Sequence, residues 1–164
     1  MRTLLLMRHA KSDYPEGVPD RDRPLAPRGE RDAVAAGTWL GAVHPAVDEV
    51  IVSPARRAQQ TWSLVSSHVR AGLVREDARV YDDWGARLND VVASLSAEST
   101  IALVVGHNPG IEEFAAALAR SGDPVARERM LRKYPTCAVA TLGFPGPWTD
   151  HSATMLLDFT VPRG

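Results

Sequence analysis

The sequence predicts an α/β protein: a three-layer α/β/α sandwich whose central sheet is mostly parallel, with an antiparallel C-terminal strand. Apolar runs at 3–7, 50–52 and 101–105 have the length of buried strands, and segments with helical spacing of apolar residues separate them. Alternating strands and helices are typical of a parallel sheet covered by helices on both faces. Because 164 residues suit one hydrophobic core, we expect a single domain over 1–164.

The first strand is followed by a polar, proline-rich segment at 10–27 and then by a predicted helix at 28–43, whose apolar residues share one face. A second strand is expected at 47–52. An irregular connection as long as 10–27 is usually functional in a compact domain. Since it directly follows the first strand, we expect it to border the site.

Pro54 is well placed in the first turn of the next helix, which we expect to continue toward Val69 and to end at Gly72. The sequence then predicts a short strand around 79–81 and a helix at 88–95.

The last third of the chain differs in character. The strand at 101–105 leads into a helix that opens at Pro109, with Asn108 as the expected N-cap. Beyond that helix, the β-rich segments 137–144 and 153–161 are joined by a Pro-Gly-Pro turn, which predicts an antiparallel pair at one side of the sheet.

Composition excludes several functional classes. The net charge of −1 with 24% charged residues argues against a broadly basic nucleic-acid-binding protein. No apolar stretch approaches the ~18 residues of a membrane helix, and the run at 4–7 is too short for a signal peptide. The lone Cys137 excludes an internal disulfide and agrees with a reducing compartment. We therefore expect a cytoplasmic protein with no membrane or nucleic-acid partner.

Arginine and histidine stand at or just after the ends of three predicted strands. Arg8 and His9 end the first, Arg57 follows the second, and His107 follows the strand at 101–105. In open α/β sheets, ligands bind at the carboxyl ends of the strands, so these side chains are expected to meet. Guanidinium groups offer forked donors to phosphoryl oxygens and an imidazole adds another donor. The sequence therefore predicts a phosphate-handling enzyme.

In such a site His9 is free to attack phosphorus. The attacking nitrogen must be unprotonated, and neighbouring arginines favour this because a further positive charge beside them is costly. The other ring nitrogen needs an acceptor, such as a backbone carbonyl, to fix the tautomer.

The segments that carry these residues resemble the histidine phosphatase superfamily, also called the phosphoglycerate mutase-like family. They are RHAKS at 8–12, DRPL at 22–25 with RG at 28–29, SPARRAQQT at 53–61 and GHNP at 106–109. The resemblance extends over nearly the whole chain. The short length and the RHAKS version of the first motif are most similar to the SixA group of phosphohistidine phosphatases.

The resemblance implies that His9 is the nucleophile that becomes phosphorylated and that neither a metal nor an organic cofactor takes part. It implies a phosphate pocket of Arg8, Arg57 and His107. We also expect Ser12 and Asn108, in the same motifs, to bind substrate. A zinc site of His9 and His107 is disfavoured in any case, because no carboxylate or thiol stands at ligand spacing.

Family members with larger substrates carry an acidic general acid after the third strand and long insertions over the pocket. Here that region is YDDW at 81–84, so Asp82 and Asp83 are the candidate general acids, and no long insertion is present. An ester needs its leaving alkoxide protonated, whereas a protonated imidazole leaves readily, so lack of an acid favours phosphohistidine. An uncapped pocket would also admit a side chain presented by a protein.

The sequence thus predicts a phosphatase that works through a phosphohistidine intermediate on His9, with a phosphorylated protein bearing phosphohistidine as its main partner. One alternative is a phosphomonoesterase acting on a small phosphorylated molecule. Another is a non-catalytic phosphate-binding module, against which the intact set of four Arg and His residues argues.

Overall fold

The computed structural model describes residues 1–82 and 86–164. In chain order its strands and helices are β1 (Arg2–Arg8), α1 (Pro27–Val43), β2 (Ala46–Val52), α2 (Arg56–Val65), β3 (Arg70–Glu76), α3 (Leu88–Ala93), β4 (Ile101–Gly106), α4 (Gly110–Leu118), β5 (Ser121–Gly122), α5 (Pro124–Arg132), β6 (Val139–Phe144) and β7 (Met155–Thr160). Short 3₁₀ turns lie at Asp20–Asp22 and Ala78–Val80.

The strands form one mixed sheet in the order β3-β2-β4-β1-β6-β7-β5. Strands β3, β2, β4 and β1 run parallel to one another, while β6 is antiparallel to both β1 and β7. The predicted mostly parallel sheet with an antiparallel C-terminal pair is therefore confirmed. The strand at the centre of the site, β1, has parallel β4 on one side and antiparallel β6 on the other.

Two hydrophobic cores lie on opposite faces of this sheet. Successive strand residues point to opposite faces, so Leu4 and Leu6 enter one core and Leu5 and Met7 the other. Helices α1 and α2 cover the Leu5 face, and α3, α4 and α5 cover the Leu4 face. This confirms the three-layer α/β/α arrangement. No helix within residues 1–82 and 86–164 combines the length and apolar character needed to cross a membrane.

The predicted strand at 79–81 is wrong: Ala78–Val80 is a 3₁₀ turn, and the strand of this region is β3. Among the described strands, β3 is an edge strand that pairs with β2; it is largely exposed and lacks the apolar alternation that marks a strand. Gly72 lies inside β3 rather than ending a helix. A Cβ there would come within 2.6 Å of the Asp48 carbonyl oxygen, so glycine permits the close approach of β3 to β2.

Other element boundaries also differ. Helix α2 ends at Val65, short of Val69, and Ser66 there bonds through its hydroxyl to the backbone of Ser63. Helix α4 begins at Gly110 with Pro109 in the N-cap position, so Asn108 is not the N-cap. The segment 137–144 starts as a turn, with Cys137 at a φ of +67°, and becomes a strand only at Val139.

Tyr134 holds this turn against the sheet. Its fully buried hydroxyl donates to the Leu6 carbonyl at 2.5 Å and accepts from the Ala140 amide at 3.0 Å, so it bridges β1 and β6. Its backbone carbonyl accepts hydrogen bonds from the side chains of Arg8 and Asn108. One residue therefore connects the core to the end of β1.

We expect Tyr134→Phe to lower the free energy of unfolding by about 1–3 kcal/mol, because it removes both hydrogen bonds of a buried hydroxyl. Urea unfolding followed by circular dichroism measures the loss. The matched control is Tyr14→Phe, since Tyr14 is 70% exposed. Equal stabilities of the two variants would contradict the bridging role of the Tyr134 hydroxyl.

Candidate active site

The adjacency of β2, β4 and β1 places three polar side chains side by side at the carboxyl edge of the sheet. Ser53 follows β2, His107 follows β4 and His9 follows β1. The His9 amide still donates to the Gly106 carbonyl at 2.9 Å, and the Ser53 amide to the Val105 carbonyl at 3.0 Å, so strand pairing fixes both backbones. The predicted meeting of strand ends is therefore observed.

His9 is buried and has a defined tautomer. Its Nδ1 lies 2.7 Å from the Ala10 carbonyl oxygen and so carries the proton, while Nε2 accepts from Arg57 Nε at 3.3 Å. Burial, together with the nearby His107, Arg57 and Arg8, holds the pKa of His9 well below 6.5. At neutral pH, Nε2 is therefore unprotonated, and its lone pair accepts only the hydrogen bond from Arg57. The backbone acceptor expected for the other ring nitrogen is the Ala10 carbonyl.

Arg57, in the first turn of α2, is 2% exposed and connects the other groups of the site. Besides donating to His9, its Nη2 lies 3.3 Å from His107 Nδ1. On its other side, Nη1 donates to the Asp20 carbonyl at 2.7 Å and Nη2 to Asp20 Oδ2 at 3.1 Å. One guanidinium thus faces both imidazoles and a carboxylate.

His107 is fixed from two directions. Because Arg57 donates to its Nδ1, the ring proton is on Nε2, which donates to Ser53 Oγ at 2.7 Å. Burial and the charge of Arg57 lower the pKa of His107 to about 3. The rings of His107 and His9 have centroids 4.9 Å apart. In this state His107 is neutral and both of its nitrogens have partners.

Arg8 and Asn108 form the wall next to α5. Arg8 Nη1 donates to the Tyr134 carbonyl at 3.0 Å, and Asn108 Nδ2 donates to the same oxygen at 3.0 Å and to Glu112 Oε2 at 2.9 Å. The Cys137 amide also lies 3.1 Å from the Arg8 carbonyl. The segment before β6 therefore holds Arg8 at the cavity.

The loop 10–27 is closed at its base. Ser12 and Leu25 form an antiparallel bridge, and the Ala26 amide donates to the Lys11 carbonyl at 2.9 Å. The first turn of α1 packs on this base: a Cβ at Gly29 would lie 2.0 Å from the Lys11 carbonyl oxygen. Only glycine fits such a contact, which explains the second residue of the RG motif.

Helix α2 ties the same loop to the site through two side chains of the SPARRAQQT motif. Thr61 Oγ1 accepts from the Ala10 amide at 3.0 Å and donates to the Arg57 carbonyl at 2.7 Å. Gln60 Oε1 accepts from the Leu25 amide at 2.8 Å. These residues position the loop.

Asp20 brings a carboxylate from the 3₁₀ turn of this loop into the site. Its Oδ2 accepts from Tyr81 Oη at 2.8 Å in addition to Arg57, and its Oδ1 lies 3.0 Å from Arg23 Nη2. Partial burial acts to raise the pKa of Asp20, but hydrogen bonds from Tyr81 and Arg57 and the charge of Arg57 lower it to about 2. Asp20 is therefore ionised in this state.

These groups surround a cavity of about 330 Å³. Its lining consists of Arg8, His9, Lys11, Ser12, Tyr14, Asp20, Arg23, Arg57, His107, Asn108 and Thr136. Across the described ranges 1–82 and 86–164, four cationic side chains and one carboxylate line the cavity, so it suits an anion. Within those ranges no three His, Cys, Asp or Glu side chains are grouped to hold a metal ion.

The cavity contains all six residues predicted as catalytic or substrate-binding, which are Arg8, His9, Ser12, Arg57, His107 and Asn108. Of the candidate general acids, Asp82 is exposed and does not line the cavity. Asp83 lies outside the described residues.

Three contributing residues were not singled out from the sequence. Ser53 stands at a predicted strand end, and this position is the signal that would have identified it. Asp20 and Tyr81 enter the site only through the path of the loop 10–27 and the 3₁₀ turn Ala78–Val80. Sequence spacing gives no sign of that approach.

Comparison with known proteins agrees with this geometry. Residues 4–85 match the family model of the histidine phosphatase superfamily, branch 1. An uncharacterised protein of Mycobacterium tuberculosis is 42% identical over 161 residues, covering 96% of this chain and 100% of the relative. An uncharacterised protein of Mycobacterium leprae is 40% identical over 164 residues, covering 96% of this chain and 100% of that protein.

Solved structures show the same fold. A Nakamurella multipartitia protein described as a candidate SixA phosphohistidine phosphatase is 34% identical, with a TM-score of 0.85 and coverage of 98% of this chain and 96% of that one. The protein histidine phosphatase SixA, solved with tungstate, is 22% identical, with a TM-score of 0.78 over 98% and 97% of the two chains. By its family-model match and its relatives, this chain belongs to the histidine phosphatase superfamily.

Proposed function

We propose that this protein removes phosphoryl groups through a covalent intermediate on His9 and that its substrate is phosphohistidine in a protein. The observation that carries the proposal is the unprotonated Nε2 of His9 in a cavity lined by Arg8 and Arg57. A nucleophile must present a lone pair, and the Ala10 carbonyl keeps the ring proton on the opposite nitrogen.

In the first step, His9 Nε2 attacks phosphorus while the bond to the leaving group breaks. Arg8 and Arg57 offer guanidinium donors to the non-bridging oxygens. Because Nδ1 keeps its proton against the Ala10 carbonyl, the phosphorylated ring carries a positive charge. In the second step, water attacks phosphorus and the bond to His9 Nε2 breaks. His9 is a good leaving group because it departs as a neutral imidazole.

The form of the cavity supports a protein-borne substrate. Between the 3₁₀ turn that ends at Val80 and helix α3, the chain has only residues 81–87, too few for a long insertion over the site. A phosphorylated side chain on a protein surface can enter the cavity directly when no long insertion covers it. The Nakamurella relative described as a candidate phosphohistidine phosphatase, 34% identical over nearly the full chain, supports the same substrate class.

A phosphomonoesterase acting on a small phosphorylated molecule is the second candidate. A volume of about 330 Å³ lies at the lower end of the range that small-molecule sites occupy, and the lining gives it strongly polar walls. Both candidates use the same nucleophile and differ in the leaving group.

The test compares phosphate release from a phosphohistidine-bearing protein, phosphoserine and phosphotyrosine peptides, and a panel of small phosphate esters, all with EDTA present. We expect the highest kcat/KM on phosphohistidine, slower turnover of the esters, and a loss of ~10⁴-fold or more in His9→Ala, because the nucleophile is removed. His68→Ala is the matched control, since His68 is an exposed histidine outside the cavity.

Preferential release of phosphate from the small esters would indicate that the substrate is a small phosphorylated molecule and would leave the proposed mechanism unchanged. Equal activity of His9→Ala and the wild type would contradict the proposed nucleophile. Phosphate binding without turnover of any substrate would instead favour a binding module.

The depressed pKa of His9 gives a second prediction. A free histidine takes up a proton near pH 6.5. Because the pKa of His9 lies well below that value, its ring should stay neutral, with the proton on Nδ1, as the pH falls from 8 to 6. Nitrogen-detected NMR of the histidine rings measures this, and His9→Ala assigns the signal. A His9 titration midpoint at or above 6.5 would contradict the proposed nucleophilic state.

A further inference from the structure

Among the described residues, Asp20 supplies the carboxylate that lines the cavity. It lies on the loop 10–27 rather than after β3. We propose that Asp20 is the proton-transfer group of this site: it donates a proton to the leaving group and later accepts one from water. This inference rests on the proposed function.

The position of Asp20 fits this role. Its Oδ2 lies 3.1 Å from Arg57 Nη2, and the Nε of the same guanidinium donates to the nucleophilic nitrogen of His9. A phosphoryl group held by Arg57 in front of His9 therefore comes next to this carboxylate. The Nε2 proton of His107 is already committed to Ser53, so His107 is a poor donor to a leaving group.

Binding of the substrate would change the charge balance around Asp20. The groups that face it in the resting state are Arg57, Arg23 and the Tyr81 hydroxyl, which together keep it ionised. A phosphoryl dianion takes Arg57 as its own counter-ion and repels the carboxylate. Both effects raise the pKa of Asp20, so it takes up a proton from solvent as the dianion binds.

The proton moves as the bonds to phosphorus form and break. In the first step the His9 Nε2–P bond forms, the bond from phosphorus to the leaving atom breaks, and the proton of Asp20 moves to the leaving group. In the second step a water oxygen bonds to phosphorus, the Nε2–P bond breaks and the water proton moves to Asp20. Release of phosphate returns Arg57 to Asp20, and the proton goes back to solvent.

The experiment measures kcat/KM of Asp20→Asn on an alkyl phosphate, which needs its leaving oxygen protonated, and on p-nitrophenyl phosphate, whose leaving group is stable without a proton. We expect a loss of about 100-fold or more on the alkyl ester and of less than about tenfold on the aryl ester. Asp22→Asn, in the same 3₁₀ turn and exposed, is the matched control and should match the wild type on both.

Calorimetric titration with inorganic phosphate tests whether Asp20→Asn is folded. We expect the variant to bind phosphate at least as tightly as the wild type, because the competing carboxylate charge is gone. Equal losses on the two esters would overturn the inference and indicate that Asp20 merely positions Arg57. A selective loss on the alkyl ester in Asp83→Asn but not in Asp20→Asn would overturn it too.

His9→Ala separates this inference from the proposed function. His9-dependent turnover with no selective effect of Asp20→Asn would overturn the role of Asp20 and leave the phosphatase proposal intact. Turnover that does not depend on His9 would overturn both.

Discussion

The buried guanidinium of Arg57 is the interaction on which the rest of the site depends. Removing a charge from water is costly unless that charge has a counter-ion and hydrogen-bond partners. Arg57 finds both: two imidazole nitrogens on one side and the carbonyl and carboxylate of Asp20 on the other. Burial and this positive charge together keep the imidazoles neutral, so in the proposed mechanism one arginine would serve both the nucleophile and the phosphate site.

Strand order makes this arrangement possible. Because β4 lies between β2 and β1, His107 stands between Ser53 and His9, and each backbone is fixed by strand pairing. Arg57 approaches from the start of α2, directly after β2. The parallel half of the sheet therefore supplies the groups to which we assign the chemistry. The segment between α5 and β6 supplies the wall at Tyr134, whose carbonyl holds Arg8.

The sequence was sufficient for the fold class and for the grouping of Arg8, His9, Arg57 and His107, because apolar runs mark buried strands and parallel strands end at one edge. It was insufficient for β3, an exposed edge strand without apolar alternation. It also missed Asp20, whose position depends on how the polar loop 10–27 folds against α2. No local periodicity encodes such tertiary contacts.

The resting site already holds an anion of its own, because Asp20 pairs with Arg57. In the proposed mechanism a phosphoryl dianion would compete with Asp20 for this guanidinium. The base of the loop 10–27 is pinned by the bridge between Ser12 and Leu25 and by contacts with α2. The 3₁₀ turn that carries Asp20 lies between these fixed points. A carboxylate satisfies the buried charge of Arg57 in this structure. In the proposed mechanism a dianion would displace it, because the dianion brings more negative charge to the same donors. In this mechanism the stability of the empty site and the selection for phosphoryl groups would both follow from one ion pair.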